Sequence, residues 1–182
     1  MKKTVWTFGL IAGGILSAMM LLTMPFLDEI GYDRGEVIGY TTMVLSFLLV
    51  FFGIRSYRDT LGGGTIGFGR ALAVGALIVL IASVCYVATW ELIYYVLAPD
   101  FASKMLAAAV EQARASGGTP QAIQARVVQA QHFGEMYRNP AINAALTLLE
   151  PLPVGLVLAL VSAGILSRRR RSGEAGLAPA AG

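Results

Sequence analysis

A single cysteine, a single histidine and a thin scatter of charges set the first limits on this chain. Cys85 has no second cysteine to form an internal disulfide, and one cysteine cannot build a four-ligand zinc site. It reads as a packing residue. His132, without another histidine or cysteine nearby, reads as a structural or solvated side chain rather than a metal ligand. Charged residues fill only 14% of the 182 positions, where a soluble domain carries about 25%. No Gly-x-Ser-x-Gly nucleophile motif and no His-Glu-x-x-His motif occurs. The formal charge of +3 does not indicate nucleic acid, because four of the fourteen basic residues, Arg168 to Arg171, run together directly behind an apolar stretch. A soluble globular domain, a disordered chain and a disulfide scaffold are excluded. No catalytic, cofactor or metal site is predicted, and the chain is not expected to be an enzyme.

What is abundant is apolar surface: 56% of residues are hydrophobic, and the mean hydropathy is +0.67. The length accommodates about four helical spans with their loops. Thr4 to Leu27 is 24 residues without a charge, behind Lys2 and Lys3. A cleavable signal has an apolar core of about 7–15 residues, so this stretch is expected to remain as a first span. Val37 to Ile54 is uncharged and closes with Arg55 and Arg58. A third run follows Arg70 and reaches about Leu97, interrupted by Glu91, and a fourth extends from Ile142 to Leu166, interrupted by Glu150. The prediction is an all-α membrane protein, one domain over residues 1–171, with spans near 5–27, 37–54, 71–97 and 142–166.

Orientation follows from the basic residues. With the amino terminus cytoplasmic, the inside holds Lys2, Lys3, Arg55, Arg58, Arg70 and Arg168 to Arg171, nine against five outside (Arg34, Lys104, Arg114, Arg126, Arg138). Only the inside group crowds against span ends in short loops, where the positive-inside bias is strongest. Both termini are therefore expected in the cytoplasm. Trp6, Trp90, Tyr94 and Tyr95 lie near span ends, where amphipathic rings collect.

The stretch before the last span predicts an external helical hairpin over residues 100–138. Asp100 offers a cap for a helix from Phe101, whose apolar positions are Phe101, Met105, Val110 and Ala113. Ser116-Gly117-Gly118 breaks it. Thr119-Pro120 is a cap followed by proline at the first helical position, where a missing donor costs nothing. Ile123, Val127, Ala130, Phe133 and Tyr137 then mark a second apolar face, ended by Asn139-Pro140. Residues 172–182, rich in Ala, Gly and Pro, are expected to be a disordered cytoplasmic tail.

The candidate site is polar and intramembrane: Glu91, Glu150, Asn143, Thr147, Tyr94 and Tyr95. A charged residue in hydrocarbon costs about 2.5–3.5 kcal/mol on insertion scales, so it normally faces a bundle interior or a cavity. At 1.5 Å per residue, Glu91 lies about 10 Å outward of its span's centre and Glu150 about 6 Å, which predicts that the two carboxyls face each other. Asn143, Thr147 and Glu150 share one helical stripe, and Tyr94 and Tyr95 lie within reach of Glu91's turn. Pro151 and Pro153 free backbone carbonyls beside Glu150, as in the broken helices of transporter sites. The same residues also admit a plainer reading, in which Glu91 bonds a tyrosine and Glu150 stays hydrated at the interface.

Two further patterns have mundane readings. Gly62-Gly63-Gly64-Thr65-Ile66-Gly67 matches Gly-x-Gly-x-x-Gly, but no strand precedes it, so it reads as a turn between spans. Gly9, Gly13 and Ser17, and again Gly155, Ala159 and Ala163, are spaced by four and allow close helix approach, either within one bundle or between copies.

Several segments together carry a resemblance: Gly35-Glu36-Val37-Ile38-Gly39-Tyr40, the stretch from Phe52 to Asp59 with its arginines, Gly67-Phe68-Gly69-Arg70-Ala71, Tyr86 to Glu91, and Asn143 to Gly155. In these the chain resembles the bacterial membrane-protein family called domain of unknown function 4199, from about Lys2 to Arg169. The resemblance implies a four-span bacterial inner-membrane protein with a long loop before the last span, and it transfers no catalytic or binding residue. The expected function is that of an accessory or self-associating membrane subunit, with the lipid bilayer and either a second copy or another membrane protein as partners. A small oligomeric transporter or proton-coupled pore using the glutamates is the alternative, and a lipid-directed membrane enzyme is third.

Overall fold

Hydrocarbon offers a backbone no hydrogen-bond partner but itself, so each long apolar run closes its own helical ladder. The structure, a computed structural model, describes residues 1–115 and 117–167. Helix α1 (Lys2–Thr23) passes through a 3₁₀ turn at Met24–Phe26, where Pro25 lies, into the short α2 (Leu27–Ile30). Gly31, at φ 84°, reverses the chain into α3 (Tyr32–Leu61). Only a residue without Cβ enters that region freely. Helix α4 (Phe68–Leu92) is extended by a π-helical turn at Ile93–Leu97. Helices α5 (Phe101–Ala115) and α6 (Pro120–Tyr137) form the hairpin, and the last span is divided into α7 (Pro140–Leu148) and α8 (Pro151–Leu166).

Four helical stretches are long and apolar enough to cross a membrane: Lys2–Ile30, Tyr32–Leu61, Phe68–Leu97 and Pro140–Leu166. The second outruns its uncharged core at both ends, because charged residues continue a helix at the interfaces as readily as apolar ones. Among the described residues there is no strand. The chain is an all-α integral membrane protein with four spanning helices and a helical hairpin between the third and fourth. The expected tail at 172–182 lies outside the described residues.

Helix α4 is the hub, packing on α1, α3 and α8, while α3 also contacts α1 and α8. The small-residue stripes are used here. A Cβ on Gly13 would lie 2.7 Å from Cys85 Cβ, and one on Gly155 2.5 Å from Val79 Cγ1. Ser17 donates to the Cys85 carbonyl at 3.4 Å, and Thr89 donates to Ser17 at 2.7 Å. Both stripes thus face α4 within the bundle. The apolar core, with Phe47, Val50, Ile54, Val74, Ile78, Val79 and Ala163 buried, lies toward the end bearing the termini. The outer faces expose Leu10, Leu45, Phe52, Leu80, Val157 and Leu160, as lipid contact requires.

The hairpin folds onto the opposite end. Thr119 caps α6 by accepting from Ala122 N–H, and Asn139 caps α7 by accepting from Ala141 and Ile142. Lys104 on α5 is 3.0 Å from Asp28 and 3.1 Å from Asp100, fastening the hairpin to the end of the first span. Between α3 and α4 the glycine segment is a turn: the Gly62 and Gly64 N–H groups donate back to the Arg58 carbonyl at the end of α3. Those donors are therefore spent within the turn.

Candidate functional site

Two of the buried polar side chains, Asn143 and Thr147, lie on α7 at the hairpin end of the bundle. Asn143, fully buried on α7, accepts from Trp90 Nε1 at 2.9 Å and from Thr147 Oγ1 at 3.2 Å. Its amide nitrogen donates to the Tyr137 carbonyl at 3.4 Å. The helical stripe read from the sequence therefore assembles, with an indole as its partner. An unpaired indole N–H in this position would cost about 1–3 kcal/mol, so the amide fixes the ring.

Glu150 occupies the break between α7 and α8 that Pro151 and Pro153 impose, the first lacking an N–H and the second leaving a carbonyl of the preceding turn without a donor. Tyr86 on α4 donates to its Oε2 at 2.8 Å. This corrects the expected pairing with Glu91, since no hydrogen bond joins the two glutamates and Glu91 Oε1 is buried without any partner. Helical geometry gives the reason. Tyr86 and Trp90 are four apart and share the face of α4 turned to α7, whereas Glu91 lies five beyond Tyr86, about 140° around the axis.

Tyr94 and Tyr95 are both present at the site, in different ways. Tyr94 is buried and its ring lies 5.9 Å from Trp90, 6.3 Å from Phe101 and 6.1 Å from Tyr137. The Tyr95 hydroxyl donates to the Tyr137 carbonyl at 3.0 Å. Phe101, the first residue of the hairpin, sets its edge against Trp90 at 5.2 Å and also meets Tyr32 at 6.2 Å. Edge-to-face pairs of this kind contribute about 0.5–1.5 kcal/mol each beyond burial, so the ring cluster locks the hairpin to the spans. Burial, with the Glu150 charge added, raises the Tyr137 phenol above its ordinary pKa.

Two cavities flank these residues. One, of about 300 Å³, is a cleft among α1, α3 and α4 that includes Glu36, Tyr40, Tyr86, Trp90, Phe101 and Glu150 in its wall. The other, of about 260 Å³, lies under the hairpin against Met105, Leu106, Phe133 and Tyr137, and again touches Trp90, Phe101 and Glu150. The same three residues thus form a shared wall. Glu36, Tyr40, Tyr86 and Phe101 did not stand out from the sequence as site residues. Tyr86 was recoverable from its four-residue spacing to Trp90, and Glu36 from its position one residue before the uncharged run. His132 is exposed on α6, and no group of three His, Cys, Asp or Glu residues able to hold a metal exists among the described residues.

No curated protein and no solved structure matches the chain. The four apolar spans and the hairpin before the last of them agree with the family whose sequence profile, described as "Protein of unknown function (DUF4199)", matches residues 7–168, and the chain belongs to that family.

Proposed function

We propose that the protein is a bacterial inner-membrane accessory subunit, with both termini cytoplasmic, that works by non-covalent binding rather than by catalysis. One observation carries this reading: a helical hairpin folds back over the ends of the spans and covers one cavity, which shares a tyrosine-bonded carboxylate in its wall with a neighbouring cleft among the spans. Such concave, mostly apolar chambers with a few placed polar groups are the usual form of a binding site. The nine-to-five distribution of basic residues supports the orientation, which puts the hairpin and its cavities on the outer side. Self-association through the small-residue stripes loses its support, because both stripes pack inside one bundle.

The transporter alternative rested on Glu91 and Glu150 acting together, and they share no bond. Reconstitution into vesicles with an enclosed pH dye separates the readings. The expected result is a proton leak no greater than in empty vesicles, unchanged by Glu91→Gln or Glu150→Gln. A leak that Glu150→Gln abolishes, with the fold intact, would overturn the proposal in favour of a proton pathway. Cysteines introduced near Gly117 should react with an impermeant reagent from outside, and those near Gly63 should not; the reverse pattern refutes the orientation.

A further inference from the structure

We propose that the paired cavities hold an organic cation bearing an apolar group, its charge against Glu36 and Glu150 and its apolar part under the hairpin. The inference rests on reading the cavity pair as a binding site and names the ligand class. Three independent features converge. The first is charge: Glu36 on α3 and Glu150 at the α7–α8 break line one cleft and repel each other across it, and among the described residues no Lys, Arg or His lines that cleft. Lys104, at the neighbouring edge, is already bonded to Asp28 and Asp100. Two carboxylates at the edge of hydrocarbon with no basic partner leave a deficit of positive charge that a cation would fill.

The second feature is the wall. Tyr32, Tyr40, Tyr86, Trp90 and Phe101 all face the cleft. Aromatic faces attract cations within about 6 Å of the ring, most strongly where water is excluded, and they accept methylated or aryl-substituted cations that a hydrated metal ion cannot imitate. Tyr86 occupies only Oε2 of Glu150, and among the described residues no hydrogen bond reaches the other carboxylate oxygen.

The third feature is the connection. The hairpin cavity is lined by Met105, Leu106, Ala109, Ala130 and Phe133, which offer no charge, and it meets the acidic cleft along Trp90, Phe101 and Glu150. A molecule lying across that shared wall would present opposite characters to the two cavities. An anion would meet two like charges in the cleft, and a neutral hydrocarbon would leave the carboxylates uncompensated.

The test uses the whole protein in nanodiscs of uncharged lipid, carrying Trp6→Phe so that Trp90 is the remaining tryptophan. Tetraphenylphosphonium is the probe, and tetraphenylborate, of nearly the same shape and opposite charge, is the control. Saturable quenching of Trp90 by the cation and not by the anion is expected. Glu150→Gln and Glu36→Gln should each weaken it about tenfold, a loss of roughly 1.4 kcal/mol, and the double variant should abolish it, with thermal unfolding unchanged. If Glu150→Gln fails to fold, Glu36→Gln, whose side chain is exposed on α3, decides alone. Equal quenching by cation and anion, linear unsaturable quenching, or indifference to both substitutions would overturn the proposal. None of these outcomes touches the proton-leak test, so the ligand class and the binding reading fail separately.

Discussion

The half of the bundle near the termini is closed by methyl groups, and the half under the hairpin is held by hydrogen bonds and aromatic rings. In the first, Ala12, Val50, Ile54, Val74, Ile78 and Ala163 are buried to the last few percent, and glycines let α1 and α8 press against α4. In the second, Asn143, Thr147, Trp90, Tyr86 and Glu150 bridge helices that leave cavities between them. Lipid tails are as apolar as leucine, so burying methyl groups gives little net drive to association in a membrane. Close backbone approach and dispersion contacts supply it instead. The tight half follows that rule, while the open half retains polar groups, which are costly in hydrocarbon and are held there by hydrogen bonds between helices.

The largest expected effect sharpens this contrast with one methyl group placed in each half. A Cβ on Gly155 would meet both γ-carbons of Val79, at 2.5 and 2.9 Å, and a β-branched side chain in a helix has almost no other rotamer to adopt. Gly155→Ala should therefore destabilise the protein by about 1–3 kcal/mol in detergent unfolding. Gly39, beside the cleft, has nothing within 4 Å of its Cβ position. Gly39→Ala should be neutral or stabilising by up to about 1 kcal/mol through helix propensity alone. Equal costs at the two sites would erase the distinction between the halves.

What the sequence made legible divides along the same line. The tight half was readable because hydropathy, basic flanks and four-residue spacing of small residues are all local signals, and each acts through one helix at a time. Thr119-Pro120 was readable as a cap for the same reason, since caps depend on neighbours in the chain, whereas Asn139-Pro140 was readable as the end of α6 and not as the start of α7. The open half depends on which faces of different helices meet. The depth of Glu91 and Glu150 followed from counting, but their rotation did not, and the rotation of α4 gave Glu150 to Tyr86. The π-helical turn at Ile93–Leu97, closed by Ala98 N–H on the Ile93 carbonyl, shifts the register of Tyr94 and Tyr95 against an ideal helix, and Pro99 behind it marks the helix end but not the extra residue in the turn.

A smaller effect tests whether the polar half is held as described. Asn143→Leu keeps the volume but leaves Trp90 Nε1–H without an acceptor, and it should cost about 1–3 kcal/mol with a shift in Trp90 emission. Thr147→Val, which removes one donor to the same oxygen and leaves the indole bond in place, should cost less. Combining Asn143→Leu with Trp90→Phe should cost less than the sum, because the orphaned donor is gone. Strict additivity would mean that the Trp90–Asn143 bond does not hold the open half together.

The smallest effect concerns the clasp that keeps the hairpin over the cavities. Lys104 sits between Asp28 and Asp100, and hydrogen bonds to those two carboxylates hold its ammonium above the ordinary lysine range. The Lys104 hydrogen bond in turn holds the Asp100 carboxyl below its usual value. The signs follow from these directions. Asp100 contributes stability that is complete above its unfolded pKa of about 3.9 and is lost as pH falls through the lower folded value. Lys104 contributes stability that is complete below its unfolded pKa of about 10.4 and is lost as pH rises through the higher folded value. Between these limits the clasp should be insensitive to pH. All three groups are exposed, so salt screens them and the contribution to global stability is small. The place to look is local opening of α5, measured as amide hydrogen exchange corrected for the intrinsic pH dependence. Lys104→Gln should speed exchange in α5 at neutral pH and remove the acid-side loosening, with little change in α4 or α8. Loosening of α8 by the same substitution would show that the two halves of the bundle are coupled through the hairpin rather than built separately.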